Sequence, residues 1–116
     1  MTVTEAFSGT ETIGTTEWSL TTDTAGPDTE TTAGTYQAQI DLSAMADGDV
    51  FQFRVYSKVL SGSTLRCCFV QTFANAQGAD DAIWPSPPLM LMHGWDMTLV
   101  KVSGTDRSID WSIRTP

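Results

Sequence analysis

The first 49 residues contain no lysine, arginine or histidine, although nine of them are acidic. The remaining residues hold five acids and all six bases, so the net charge of −8 divides into −9 and +1. Nucleic-acid binding depends on Lys and Arg side chains that neutralise phosphates. Because the bases are few and dispersed, we expect nucleic acid not to be a direct partner.

Cysteine and histidine are also scarce. Cys67 and Cys68 are the only cysteines, and adjacent residues of a strand point to opposite faces, so we expect no disulfide. A zinc site takes four Cys or His ligands, whereas the chain has three such side chains. His93, the single histidine, lies in a turn with no sign of a Ser-His-Asp or Cys-His site. We therefore expect no metal, no cofactor and no enzymatic activity.

Long apolar runs are missing as well. No segment approaches the ~20 apolar residues that span a bilayer, and Met1–Glu5 lacks the basic and apolar regions of a signal peptide. We therefore expect no membrane partner and synthesis in a cytoplasm. A length of 116 residues fits one domain.

Alternation of apolar and polar residues predicts two antiparallel hairpins. The first covers Asp49–Phe73, with a turn at Ser61–Ser63. In the second, Trp95–Leu99 and Ile109–Ile113 flank a turn at Ser103–Asp106. A short turn that contains glycine between alternating runs is typical of a hairpin.

The rest of the chain also favours strands. Tyr36–Leu42 alternates clearly, and weaker strands are predicted around Ile13 and around Trp18. Thirteen of the first 35 residues are threonine, a residue that favours strands. We predict an all-β fold, a small antiparallel β-sandwich or barrel with an extended N-terminal arm. The arm covers residues 1–10 and the single β domain covers residues 11–116.

Six residues are candidates for binding a partner. Trp95 and Trp111 fall on regular strands and are expected in the core, whereas the two other tryptophans are expected to be exposed. The prolines that follow Trp84 would hold its ring rigidly, which favours binding. Three bases provide a surface opposite in charge to the acidic half. The candidates are Trp18, Arg54, Lys58, Arg66, Trp84 and Pro85.

Four segments carry a family resemblance. They read EWSLTTD (17–23), WPSPPL (84–89), HGWDMTL (93–99) and GTDRSIDWSIR (104–114). Together they resemble small proteins of tailed bacteriophages, and the likeness spans most of the chain. The resemblance implies a non-enzymatic virion structural protein, made in the host bacterial cytoplasm and located in the virion. Small acidic β-rich proteins of this kind resemble capsid decoration, or cement, proteins. Such a protein would bind the major capsid protein or other virion subunits as a homo-oligomer.

Two alternatives remain open. One is another virion component, such as a tail-tube, head–tail connector or tail-tip protein. The other is a glycan-binding module for host attachment, in which Trp18 and Trp84 would stack on sugar rings. The number of copies per particle separates capsid decoration from a connector, and a glycan-binding assay tests the second alternative.

Overall fold

The computed structural model describes residues 2–116, so that Met1 lies outside the described residues. The described residues form ten β-strands and contain no helix long and apolar enough to cross a membrane. The strands are β1 (Thr4–Ile13), β2 (Trp18–Ser19), β3 (Thr24–Ala25), β4 (Gly34–Asp41), β5 (Val50–Ser57), β6 (Arg66–Ala74), β7 (Ile83–Pro85), β8 (Leu89–Leu91), β9 (Trp95–Ser103) and β10 (Arg107–Thr115).

These strands form two five-stranded antiparallel sheets. Sheet 1 has the order β1-β10-β4-β7, and β8 also pairs with β4. Sheet 2 has the order β3-β2-β9-β5-β6. The inner faces of the two sheets enclose one core, as in a β-sandwich. The predicted all-β fold is therefore confirmed.

The core consists of alternate residues on the central strands, as the period of a strand requires. From sheet 1 they are Tyr36, Ala38, Ile40, Ile109, Trp111 and Ile113. From sheet 2 they are Phe51, Phe53, Val55, Phe73, Trp95, Met97 and Leu99. The rings of Tyr36 and Trp95 join the two sheets, with centroids 4.4 Å apart. The expected core positions of Trp95 and Trp111 are thus confirmed.

Strand β9 is buried on both faces, because part of the chain covers the outer face of sheet 2. The outward residues Asp96 and Thr98 are fully buried. Asp96 accepts a hydrogen bond from the Thr21 hydroxyl and another from the backbone N–H of Asp28, both at 2.8 Å. Desolvation raises the pKa of Asp96 in spite of these donors. The segment holding Thr21 and Asp28 therefore covers this part of the face.

The two predicted hairpins have different outcomes. Strands β5 and β6 pair from Val50↔Ala74 to Ser57↔Arg66, with a bulge at Cys68, so the first hairpin is confirmed. The second is wrong, because β9 pairs with β2 and β5 in sheet 2 whereas β10 pairs with β1 and β4 in sheet 1. The turn between β9 and β10 is therefore an arch that carries the chain from one sheet to the other.

A buried carboxylate at the start of β5 fixes this arch. Asp49 accepts hydrogen bonds from the backbone N–H of Thr105 at 3.0 Å and from Arg107 Nε at 2.7 Å. It also accepts one from the backbone N–H of Ala46 at 2.9 Å. Led by the bond from Arg107, these donors lower the pKa of Asp49 to about 2. Gly104, with φ of +92°, lets the arch approach the Asp49 backbone closely.

The predicted arm over residues 1–10 requires a correction. Thr4–Thr10 lies in β1, which pairs with β10 from Thr4↔Thr115 to Ile13↔Arg107. The pairing provides hydrogen-bond partners for the backbone groups on one side of β10. Phe7 packs on the core, with its ring 6.0 Å from that of Trp95. Most of the predicted arm is therefore an edge strand of sheet 1.

Candidate interaction surface

The two tryptophans expected to be exposed are instead half-buried. The Trp84 ring lies 5.3 Å from that of Phe53 and 5.1 Å from that of Phe73, between centroids. Its neighbour Pro85 is exposed and pairs with Gln39 at the edge of sheet 1. Trp84 therefore closes the core between the edges of the two sheets, which corrects the expectation that it faces solvent.

Trp18 has a similar position at the other side of the sandwich. Its ring packs against the core, and its Nε1 donates a hydrogen bond to Asp23 Oδ1 at 3.0 Å. A sugar-binding platform needs an aromatic face that is open to the ligand. Because packing occupies much of both rings, neither Trp18 nor Trp84 provides a wide platform.

Arg54 faces outward on β5, but an acid partner from the N-terminal segment pairs with it. Arg54 Nη1 lies 3.2 Å from Glu17 Oε1. The other carboxylate oxygen of Glu17 accepts hydrogen bonds from the hydroxyls of Tyr56 at 2.5 Å and Thr98 at 2.6 Å. Desolvation and the hydrogen bond to Glu17 raise the pKa of Tyr56. This network ties the segment before β2 to sheet 2, so Arg54 has a structural partner already.

Lys58 and Arg66 differ from Arg54, since neither has an ion pair among the described residues. The ion pairs of residues 2–116 are Arg54–Glu17, Lys101–Asp106 and Arg107–Asp49. Lys58 follows β5 and Arg66 begins β6, so both lie at the turn end of the β5–β6 hairpin. Between them Val59 and Leu60 are 85% and 66% exposed. The turn end of this hairpin is therefore basic and apolar.

The hairpin lies in the longest acid-free part of the chain. Residues 50–79 contain no Asp or Glu and three bases. On a protein with a net charge of −8, this is the region where another negatively charged molecule meets the least repulsion.

Strand β6 is the edge of sheet 2 and has an open side. β5 pairs with one side, and no other strand in residues 2–116 pairs with the other. The strand contains nine residues, none of them acidic and none proline. An edge strand of this kind presents unpaired N–H and C=O groups that pair readily with another strand.

The other sheet edges are protected by devices that discourage such pairing. In β1 they are two acids, Glu5 and Glu11, and a bulge between Glu5 and Phe7. The edge strand β3 is only two residues long. The edge formed by β7 and β8 holds three prolines, Pro85, Pro87 and Pro88. Among the edges in the described part of the chain, β6 alone is long and free of both acids and prolines, and its one irregularity is a bulge at Cys68.

The two ends of β6 carry opposite charge. Arg66 is the first residue of β6 and gives this end a positive charge. At the other end Asp47 Oδ1 accepts a hydrogen bond from the backbone N–H of Ala76 at 3.2 Å. There Asp80 and Asp81 line, with Thr72, a groove of about 500 Å³ between the edges of the two sheets. β6 therefore has a basic end and an acidic end.

Sequence reasoning missed a further exposed surface, here named the methionine patch. Met90 is 89% exposed and Met92 is 55% exposed, on and just after β8. With Ala33 and Thr35 they line an apolar depression beside β4. The run Leu89–Met92 resembles a buried strand in sequence, so only the pairing of β8 at the sheet edge reveals its exposed side.

No three His, Cys, Asp or Glu side chains within residues 2–116 are grouped to hold a metal ion. Both cysteines are exposed, and desolvation raises the pKa of the Cys68 thiol, which disfavours the reactive thiolate. Comparisons with protein-family models, with curated proteins and with solved structures found no match.

Proposed function

We propose that the chain is a non-enzymatic structural protein of a tailed bacteriophage virion that binds the capsid surface as a decoration protein. The resemblance of residues 17–23, 84–89, 93–99 and 104–114 to small proteins of tailed phages supports the virion assignment. The proposed partners are the major capsid protein or other virion subunits, together with further copies of the chain.

The observation that carries the proposal is the methionine patch on a strongly acidic protein. Exposed apolar patches mark contacts with other proteins, and methionine adapts its flexible side chain to an irregular partner surface. A net charge of −8 keeps such a chain soluble before assembly. A protein added to a preformed shell needs both properties.

Attachment at many equivalent sites explains why one small patch suffices. A capsid offers the same binding site on every subunit, and a symmetric oligomer engages several of these sites at once. When several patches of one oligomer bind the shell at once, the overall affinity is far higher than that of a single patch. We therefore expect weak binding of single copies and firm retention on intact shells.

The direct test is a count of copies per particle. Virions of a phage that encodes the chain are purified, and the protein is quantified by mass spectrometry against the major capsid protein. Hundreds of copies support capsid decoration. About six or twelve copies would replace it with a connector or tail component, and absence from purified virions would overturn the virion assignment.

A substitution pair tests the surface. Met90→Glu places a charge in the methionine patch, and we expect about tenfold weaker retention on decorated shells, as for a contact worth ~1.4 kcal/mol. Val102→Glu is the matched control, because Val102 is also exposed at 53% but lies outside the patch. Equal retention of the two variants would rule out the patch as the attachment surface.

A further inference from the structure

We infer that two copies of the chain associate through their β6 strands, paired antiparallel across a two-fold axis, so that sheet 2 continues from one copy into the other. The inference deepens the proposed function, on which it rests for the expectation of an oligomer. It names the surface and the register of the contact.

Electrostatics is the first reason to expect a second copy of the chain as the partner of β6. Two copies each carry a net charge of −8 and repel one another over most of their surfaces. The acid-free β5–β6 hairpin is where this repulsion is smallest, and β6 is the sheet edge there, with neither acid nor proline. A second copy is therefore steered toward β6 and away from the acidic edge β1.

A two-fold axis makes β6 complementary to itself, because the basic end of one strand lies beside the acidic end of the other. In an antiparallel pair, the first residue of one strand lies opposite the last residue of the other. Arg66 of one copy thus lies beside Ala74 of the other, next to the acidic end marked by Asp47, Asp80 and Asp81. The same contact repeats on the other side of the axis, as an isologous interface requires. Arg66 has no ion pair within residues 2–116 of its own copy. In the dimer it lies near the acidic residues of the other copy.

The register follows from the length of the strand. Only an axis through Val70 places all nine residues of β6, from Arg66 to Ala74, beside the other copy, with the bulge at Cys68 two residues from the axis. In this register Val70 lies opposite the Val70 of the other copy, and Cys68 lies opposite Thr72. Val70 is 49% exposed, so the contact covers apolar surface at its centre. A contact of one strand pair is small, so we expect a reversible dimer in solution.

Charge reversal at the axis tests the dimer. Val70→Lys brings two lysines together at the axis, and Val70→Asp brings two carboxylates together, so each variant alone is expected to be monomeric in sedimentation analysis. We expect the dissociation constant to rise at least about tenfold. An equimolar mixture of the two variants restores opposite charges across the axis and is expected to form a heterodimer. Val102→Lys changes a valine of β9 that is 53% exposed, and this control should dimerise as the unchanged chain does.

Cysteine cross-linking tests the register. In Cys67→Ser/Thr72→Cys, residue 72 of one copy lies opposite Cys68 of the other, within the Cα separation that a disulfide spans. Within one copy the two thiols are about 13 Å apart along the strand, so a disulfide between them must join two chains. Mild oxidation is expected to give a covalent dimer. Cys67→Ser/Ser8→Cys places the new thiol on the β1 edge instead and should give none.

The outcomes separate this inference from the proposed function. A chain that is monomeric at every concentration overturns the dimer, as does unchanged dimerisation of Val70→Lys or preferential cross-linking through residue 8. These measurements use purified protein alone. Absence from virions with an intact dimer would overturn only the proposed function.

Discussion

The β5–β6 turn and the β9–β10 turn have the same appearance in sequence and opposite roles in the fold. Each joins two alternating strands through a short segment that contains one glycine, Gly62 or Gly104. The first closes a hairpin within sheet 2, and its apolar tip is exposed. The second crosses between the sheets and is bonded to Asp49. The two turns therefore differ in their tertiary contacts and not in their local sequence pattern, and we expect the anchor at Asp49 to hold the second turn between the sheets.

Asp49→Asn tests the anchor and is expected to have the largest effect. It removes the charge that pairs with Arg107 and one of the two carboxylate acceptors, which leaves partly buried donors unsatisfied. We expect a larger fall in the thermal unfolding midpoint than for Trp84→Ala or Gly104→Ala. Asp47→Asn is the control, because Asp47 is exposed; a similar fall for both would show that the arch does not depend on Asp49.

The same carboxylate predicts a pH dependence. The pKa of Asp49 is about 2 in the folded protein, against an ordinary value of 3.8. Because the unfolded chain binds this proton more tightly, the contribution of Asp49 is fully present above pH ~4 and is lost as the pH falls to ~2. In acid titrations followed by circular dichroism, the difference in stability between the unchanged chain and Asp49→Asn should shrink across this window. A constant difference would contradict the anchor.

Trp84→Ala examines the inner side of the β5–β6 hairpin. Truncation removes the ring that packs on Phe53 and Phe73, and we expect a loss of about 3 kcal/mol in the free energy of unfolding. Chemical denaturation measures this loss. Unchanged stability with weakened assembly would instead place Trp84 in an interface, as its sequence context first indicated.

A pair of glycine substitutions compares the two turns directly. Gly104→Ala puts a side chain on a residue with φ of +92° and forces it against the Asp49 backbone, 2.7 Å from the Asp49 Cα. We expect a loss of about 2 kcal/mol. Gly62→Ala meets open space and should change the free energy of unfolding by less than about 0.5 kcal/mol. Equal effects would remove the distinction between the anchored and the free turn.

The smallest effect is expected at the hairpin tip. Val59→Ser and Leu60→Ser change side chains that are 85% and 66% exposed, so the free energy of unfolding should stay within about 0.5 kcal/mol. The measurement is the denaturation midpoint, with the same substitution at the buried Val55 as a destabilised control. A clear loss at the tip would show that these residues pack on the fold.

The sequence predicts the strands well where apolar and polar residues alternate, as around Phe51 and Phe53, because half-buried strands require this period. It fails for β1, where threonines and a few apolar residues give no clear pattern and pairing with β10 supplies the order. It also fails for the β9–β10 turn, since Asp49 lies 56 residues from Thr105.

The candidate surface was partly predictable for similar reasons. Lys58 and Arg66 stand out in sequence, and the structure leaves both without an ion pair among the described residues. Arg54 looks the same in sequence, but Glu17, 37 residues earlier, pairs with it. The open side of β6 depends on the order of strands in the sheet, which no local pattern contains.

Strand pairing also implies an order of events during synthesis. The main partners of β1, β2 and β4 are strands that begin at Ile83 or later, whereas β5 pairs with β6 across a short turn. The β5–β6 hairpin is therefore the first pair of long strands of which both members have been synthesised, and most of the first 49 residues wait for partners not yet made. A waiting segment is prone to aggregate if it is apolar. We expect the acid-rich, base-free character of these residues to keep them dissolved until β9 and β10 emerge from the ribosome.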